Sequence, residues 1–479
     1  MIQSFIHTSE NNNLYIYDDQ YRLSILVHPE FEKAYEKSKD TDPYYLKKYA
    51  YLREHGFFAK PKLADFVKLE ESTVRENIIN TKQIVFEVTD SCNLSCTYCG
   101  FGKFYEGFDE RNGRKINTRY AINLLKYIFD LKPKNKHNRL IISFYGGEAL
   151  LNMNFIKRIV EVANQLNSEK EMELEYSMTT NATLIHKYID FLAANNFRLL
   201  ISLDGNKENH SYRVFNKNNK NSFHKVIENI DLIQKDYPEY FSSHVNFNAV
   251  LHNRNSVKEI YEFICMRYNK IPRIAELDMR NVKLESKDNL ERMFQSKRKS
   301  EIEFQKEESD LSRITHGYSS LYRDLTDFLK YLSINYYVSN INALLHIVEK
   351  YLPTSTCTPF SKKMFLTNRN KLLPCEKINY KYSIGKVNEK IEIEIQEVTR
   401  QYNFYYEHLK KFCQTCYAYK FCGACLFQIK NIDNVNTKEF VCDRFQDQKA
   451  FKNKLHRIFS FLEKYPNDFF QIFENVIFE

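Results

Sequence analysis

Tryptophan is missing from this chain of 479 residues. Its 34 tyrosines and 37 phenylalanines read as core material, not as a relay for electrons. No apolar run is long enough to cross a bilayer, so no membrane partner is expected. The first residues lack the basic segment followed by an apolar one that marks a secretion signal, which makes the cytoplasm the default location. The 70 basic and 61 acidic residues leave a net charge of +9. No basic stripe concentrates that excess, which argues against a nucleic-acid partner. Repeats are absent, and low complexity is confined to a short Asn/Lys loop at 216–221. The length predicts two or three folded units with a sizeable core.

What the chain does have is cysteine in clusters. Of eleven cysteines, three fall within residues 92–99 and seven within 357–442, while Cys265 stands alone as a buried inert thiol. Without a secretion signal, grouped cysteines favour metal over disulfides. The first group, Cys92, Cys96 and Cys99, has the spacing Cys-x3-Cys-x2-Cys. Three thiolates so spaced can hold three corners of a four-iron cluster and leave the fourth iron open to chemistry. Zinc accepts thiolates too, but a closed zinc site wants a fourth ligand, and no further Cys or His lies close in sequence.

Residues 1 to about 80 form a preface. Two strands are expected at 14–18 and 21–27, with Asp18, Asp19 and Gln20 as the turn, then helices, with Gly56 as a C-cap. From Ile84 strands alternate with helices. Strands are expected at 84–88, 140–145, 174–178, 198–203, 244–251 and 275–284, and helices at 117–131, 154–165, 184–195, 222–237 and 257–268. This alternation predicts an α/β fold of parallel βα units. Five or six units fall short of eight, so a partial barrel is expected. A charge-rich stretch at 285–319 reads as a surface helix or linker. A helical segment to Tyr351, the cysteine-rich region and a final amphipathic helix near 443–464 follow. The expected divisions are 1–80, 81–285, 286–350, 351–450 and 451–479.

The triplet directly follows the first strand of the alternating series, at the mouth of the sheet where such folds place active sites. Tyr98 sits just before the third cysteine. Phe144-Tyr-Gly-Gly-Glu148 follows the second strand, Thr179-Thr-Asn181 ends the third, and Ser202-Leu-Asp-Gly205 ends the fourth, followed by His210 and Arg213. Together these residues resemble the radical S-adenosylmethionine (SAM) superfamily. The resemblance implies a (β/α)6 TIM-like partial barrel. It also implies that SAM chelates the open iron and is cleaved to a 5'-deoxyadenosyl radical, which takes a hydrogen atom from substrate. By the same resemblance Gly146, Gly147 and Glu148 meet the cofactor's amino group, Asn181 lies beside its ribose and Arg213 meets its carboxylate. Tyr98, Ser202 and Asp204 complete that cofactor-binding set.

The second cysteine group reads Cys357-x17-Cys375, Cys413-x2-Cys416-x5-Cys422-x2-Cys425, then Cys442. Seven thiolates are too many for one four-ligand site and suit two, whether iron-sulfur clusters or structural zincs. The arrangement resembles the SPASM domain, which carries two auxiliary four-iron clusters. That resemblance assigns Cys413, Cys416, Cys422 and Cys442 to an outer cluster and Cys357, Cys375 and Cys425 to an inner one. Only two residues separate Cys422 from Cys425, where the family has three. Asn370 replaces the usual glycine five residues before Cys375, a mild change because asparagine tolerates the left-handed turn. Glu376 follows Cys375 directly, where some relatives carry an acidic residue that acts on substrate, and a carboxylate there can accept a proton.

SPASM-bearing radical enzymes mostly modify peptides. The first expectation is therefore a maturase that oxidatively crosslinks side chains of a ribosomally made precursor, through a thioether or a carbon-carbon bond. Its partners would be a precursor peptide with a leader sequence and an electron donor such as flavodoxin or ferredoxin. The preface would bind the leader, so deleting residues 1–75 is expected to weaken precursor binding and leave the core clusters intact. One alternative is an anaerobic sulfatase-maturating enzyme that forms formylglycine from Cys or Ser. Another, of a different class, is a non-enzymatic zinc-dependent binding module.

Overall fold

The computed structural model describes residues 3–59, 64–329, 350–354 and 357–467. The chain forms two compact units. One comprises Glu70–Asp310 and Cys357–Gln401, the other Met1–Leu69, Leu311–Thr356 and Tyr402–Glu479.

The first of these is built on six parallel strands. They are Gln83–Thr89, Arg139–Gly146, Glu173–Thr180, Arg198–Ser202, Val245–Leu251 and Arg273–Glu276, side by side in sequence order. One set of alternate residues buries Phe86, Phe144, Met178, Ile201 and Phe247. The other set is polar in part: Gln83 donates to Ser143 Oγ at 2.6 Å, and Ser143 shares a proton with Ser177 at 2.5 Å. Helix Thr118–Leu131 shows why the crossovers form. Asn117 accepts from the backbone N–H groups of Arg119 and Tyr120, and Ala121, Leu124, Leu125, Ile128 and Phe129 make one buried stripe. The helix expected at 184–195 is broken into a 3₁₀ turn, Ile185–Lys187, and a short helix, Ile189–Ala194. The sixth strand ends at Glu276, and Asn281 then takes a left-handed turn at φ +50°. The charge-rich stretch after it holds the helices Lys287–Met293 and Lys297–Glu307, with Leu290, Met293 and Phe304 buried.

Residues 357–401 belong to this unit, although they were expected in the cysteine-rich domain. Met364–Leu366 pairs in parallel with Ile84–Phe86, burying Met364, Phe365 and Leu366 completely. Lys371–Leu373, Gly385–Val387 and Ile391–Glu392 continue the sheet antiparallel, giving ten strands. Asn370 turns the first of these hairpins at φ +65°.

The other unit starts with a three-stranded antiparallel sheet of Phe5–Thr8, Leu14–Asp18 and Leu23–Val27. Phe5 and Tyr17 share a core with Tyr417 and with Phe451, Leu455 and Ile458 of the helix Gln448–Lys464. The preface and the last helix, expected as separate parts, therefore bury their apolar faces against each other. The end of the helical segment expected before Tyr351 lies outside the described residues. No described helix is long and apolar enough to cross a membrane.

Candidate active site

The loop that leaves the first barrel strand carries Cys92, Cys96 and Cys99, all free thiols and all half-buried. Its course is fixed by a short antiparallel ribbon. Ser95 N donates to Val214 O at 2.7 Å and Thr97 N to Tyr212 O at 3.1 Å. Burial pushes the Cys92 thiol up to about 11 and the Cys96 thiol up to about 12. Such thiols give up their protons when metal takes the proton's place. Among the described residues, no three His, Cys, Asp or Glu side chains form a group that could hold a single metal ion. A four-iron cluster makes a different demand, since each thiolate takes a different iron and the sulfurs stand apart. Three free thiols near enough to influence one another electrostatically fit that demand.

Gly146 and Gly147 press against the start of the same loop. A Cβ on Gly147 would lie 2.0 Å from Ser91 O, and one on Gly146, whose φ is +132°, 2.3 Å from Thr89 O. That closeness lets Gly147 N donate to Thr89 O and Glu148 N to Ser91 O, each at 2.8 Å. The glycines thus serve the loop's own backbone. Glu148 is buried, and its carboxylate accepts from Leu150 N at 3.2 Å, Thr180 Oγ1 at 2.7 Å and Asn181 N at 2.8 Å. It braces the end of the third strand. Asn181 in turn donates to Asn93 Oδ1 at 2.9 Å and reaches Cys92 Sγ at 3.7 Å.

Arg213, expected to meet a cofactor carboxylate, meets a carboxylate of the protein. Its Nε donates to Asp204 Oδ2 at 2.8 Å and its Nη2 to Asp204 Oδ1 at 3.0 Å. Asp204 is fully buried and also accepts from Val250 N at 2.9 Å and from the Tyr98 hydroxyl. Burial alone would raise the Asp204 pKa, but Arg213 outweighs it and holds the carboxyl well below the usual range. Ser202 is half-buried at the end of the strand that leads into Asp204. His252, which the sequence did not single out, lies 3.8 Å from Asp204. Burial pushes His210 down to about 3, so it is a neutral ring bonded to Ser222 at 3.1 Å.

Glu376 lies in the same unit. Lys363 Nζ contacts its two oxygens at 3.2 and 3.1 Å, and the Cys375 thiol lies 3.5 Å away. Burial raises its pKa, yet Lys363 reverses the balance and holds the carboxyl below its ordinary value. Tyr145, also missed from sequence, has its phenol pushed well above its ordinary value by burial, and further by Glu376 and Cys99. Its place directly before the glycine pair was the available signal.

Cys413, Cys416, Cys422 and Cys442 converge in the other unit. They line one pocket with Phe66, Leu409, Phe412 and Arg444. Burial raises the Cys413 thiol, and the other three thiols raise it further. Of the residues assigned to the inner cluster, Cys357 and Cys375 belong to the barrel unit and Cys425 to this one.

Residues 86–264 match the family model of the Radical SAM superfamily. A cysteine-type anaerobic sulfatase-maturating enzyme of Clostridium novyi (strain NT) is 31% identical over 185 residues, 38% of this chain and 46% of that enzyme. The radical SAM cyclopropyl synthase TigE of Paramaledivibacter caminithermalis is 27% identical over 177 residues, 36% of this chain and 35% of TigE. The chain therefore spans less than half the length of these two relatives. The structure of native anSMEcpe with bound AdoMet and the Cp18Cys peptide superposes with a TM-score of 0.50 at 19% identity, covering 81% of this chain and 99% of that one. That likeness is one of fold. The cysteine loop, its glycine brace and the family match agree: residues 86–264 carry a domain of the radical SAM superfamily, a family whose cofactors are S-adenosylmethionine and a four-iron cluster.

Proposed function

We propose that this enzyme oxidises a cysteine or serine side chain of a peptide or protein to formylglycine, as an anaerobic sulfatase-maturating enzyme does. The observation that carries the reading is the pairing of a radical SAM triplet with a second thiol pocket. The likeness to a sulfatase-maturating enzyme supports it. When bound, SAM and the Cys92–Cys96–Cys99 cluster supply abstraction of a hydrogen atom. The chain's own residues then have three tasks. Gly146, Gly147 and Glu148 hold the cysteine loop and Asn181 in place. Glu376, kept ionised by Lys363, accepts the proton released as the substrate radical gives up its second electron; serine thereby becomes the aldehyde, and cysteine becomes a thioaldehyde whose sulfur is replaced by water and leaves as hydrogen sulfide. The Cys413, Cys416, Cys422 and Cys442 pocket would hold an auxiliary cluster, which would supply an acceptor for the surplus electron. A flavodoxin or ferredoxin completes the electron path.

A second reading is oxidative crosslinking of a precursor peptide. The N-terminal sheet favours it, because Leu23–Val27 is an outer strand that pairs on one side with Leu14–Asp18. An extended leader can add to such an edge.

Anaerobic enzyme, reconstituted with iron and sulfide and given SAM, a reductant and a peptide with a central Cys or Ser, tests both. An aldehyde trapped by a hydrazine supports formylglycine formation. Loss of a hydrogen pair with suppressed fragmentation between two residues moves the assignment to crosslinking. Failure to split SAM into methionine and 5'-deoxyadenosine overturns both.

A further inference from the structure

We propose that the buried Asp204–Arg213 ion pair sets the reduction potential of the radical SAM cluster, with Arg213 supplying positive charge beside Cys96 and Asp204 limiting it. The proposal rests on the assignment of Cys92, Cys96 and Cys99 as cluster ligands.

The placement follows from the ribbon. Ser95 pairs with Val214 and Thr97 with Tyr212, so Cys96 stands opposite Arg213. Directly opposed residues on antiparallel strands project their side chains to one face. The Arg213 guanidinium also lies 5.4 Å from the centroid of the Tyr98 ring, whose chain neighbours lead to Cys96 and Cys99. An arginine keeps its charge at any working pH. Here it is 7% exposed, which weakens the screening that water would provide.

Asp204 is the counterweight. Beyond its two bonds from Arg213 it is tied to Val250 N and the Tyr98 hydroxyl, so both ends of the pair are fixed relative to the loop. Of the two, Arg213 is the one the ribbon sets opposite Cys96, and Asp204 is joined to the loop through Arg213 and the far end of the Tyr98 ring. The nearer charge is the positive one, so the pair is net positive at Cys96. Reduction adds negative charge to the cluster, and a nearby positive charge favours that state. Asp204 and Arg213 act through the cluster, as positioning residues whose charges tune it.

The test is a potentiometric titration followed by electron paramagnetic resonance on full-length reconstituted protein without SAM. The relevant signal is the part absent from the C92A/C96A/C99A variant. Asp204→Asn leaves Arg213 uncompensated and raises the potential. Arg213→Gln leaves Asp204 uncompensated and lowers it. The double variant falls below wild type by less than Arg213→Gln does. Each single change is expected to shift the ratio of reduced to oxidised cluster about tenfold, or about 59 mV for one electron. A merely structural pair would not move the potential in opposite directions. Should the single variants fail to fold, the double variant, which leaves no charge unpaired, still decides: a potential equal to or above wild type overturns the proposal. So do four coincident potentials or the reverse order. A wild type with no triplet-dependent signal sinks the ligand assignment instead.

Discussion

The N-terminal strands should be needed to hold the outer cysteine pocket. Phe5 is 2% exposed, and its ring centroid lies 5.5 Å from Tyr17, 5.6 Å from Tyr417 and 5.9 Å from Phe451. Replacing a buried phenylalanine by alanine costs about 3–5 kcal/mol. A domain has only about 5–15 kcal/mol of stability to lose. Tyr417 directly follows Cys416, and its hydroxyl bonds to both Gln3 N and Gln3 O, at 2.9 and 3.0 Å. Lys420, between Cys416 and Cys422, is anchored on Asp19 at 2.8 Å. Phe5→Ala should therefore lower the urea midpoint of this unit and reduce iron bound by the second cysteine group, while the first triplet keeps its iron. Leu26→Ala, at a residue 61% exposed on the same sheet, should change stability by no more than about 0.5 kcal/mol. Equal midpoints and equal iron content for Phe5→Ala and wild type would refute the reasoning. The shared core also revises the expectation for deletion of residues 1–75, because the cut removes one wall of the outer pocket's support.

Gly147→Ala puts a methyl group 2.0 Å from Ser91 O. Losing the two backbone bonds at that turn should cost about 2–3 kcal/mol and lower iron occupancy at the first triplet, read by iron analysis beside a denaturation curve. His7 is packed against Tyr15 and Phe459 and is pushed down to about 3, chiefly by burial. Below pH 6.5 the unfolded chain takes up a proton that the folded chain refuses, so stability falls with pH, by about 2 kcal/mol at pH 5. His7→Leu should flatten that acid limb in denaturation curves taken from pH 7 to 5. At Asn370, with φ +65°, a glycine should be tolerated and a valine should cost about 1–2 kcal/mol, compared by the same curves.

The alternating strands and helices of the barrel were legible because each carries its own period. Phe86, Phe144 and Phe247 lie on strands, and the stripe from Ala121 to Phe129 lies on a helix. Met364–Leu366 and its hairpin partners are only two or three residues long, too short for a period to register. Their place beside the first strand depends on Ile84–Phe86, some 280 residues earlier, which no local pattern reports. Phe5–Thr8 escaped for the same reason of length, at four residues. The cysteines were legible because few chemistries call for thiols so spaced.

The supporting residues were not legible, and the reason is physical. Glycine at 147 can be read as a turn, but the atom that forbids a side chain there is Ser91 O on another segment. Arg213 can be read as a cation suited to a carboxylate, but Asp204 answers it from within the chain at 2.8 Å. Sequence gives the type of partner a side chain wants; only the fold says whether the protein has already supplied it. A guanidinium whose Nε and Nη2 are both bonded to Asp204 binds a further carboxylate at the cost of those bonds or with what geometry remains. If Asp204 limits Arg213 in this way, Asp204→Asn should tighten SAM binding, measured by calorimetry on the reconstituted protein, as well as raising the potential. Weaker binding in Asp204→Asn would mean that the pair's main service is to hold the guanidinium in position.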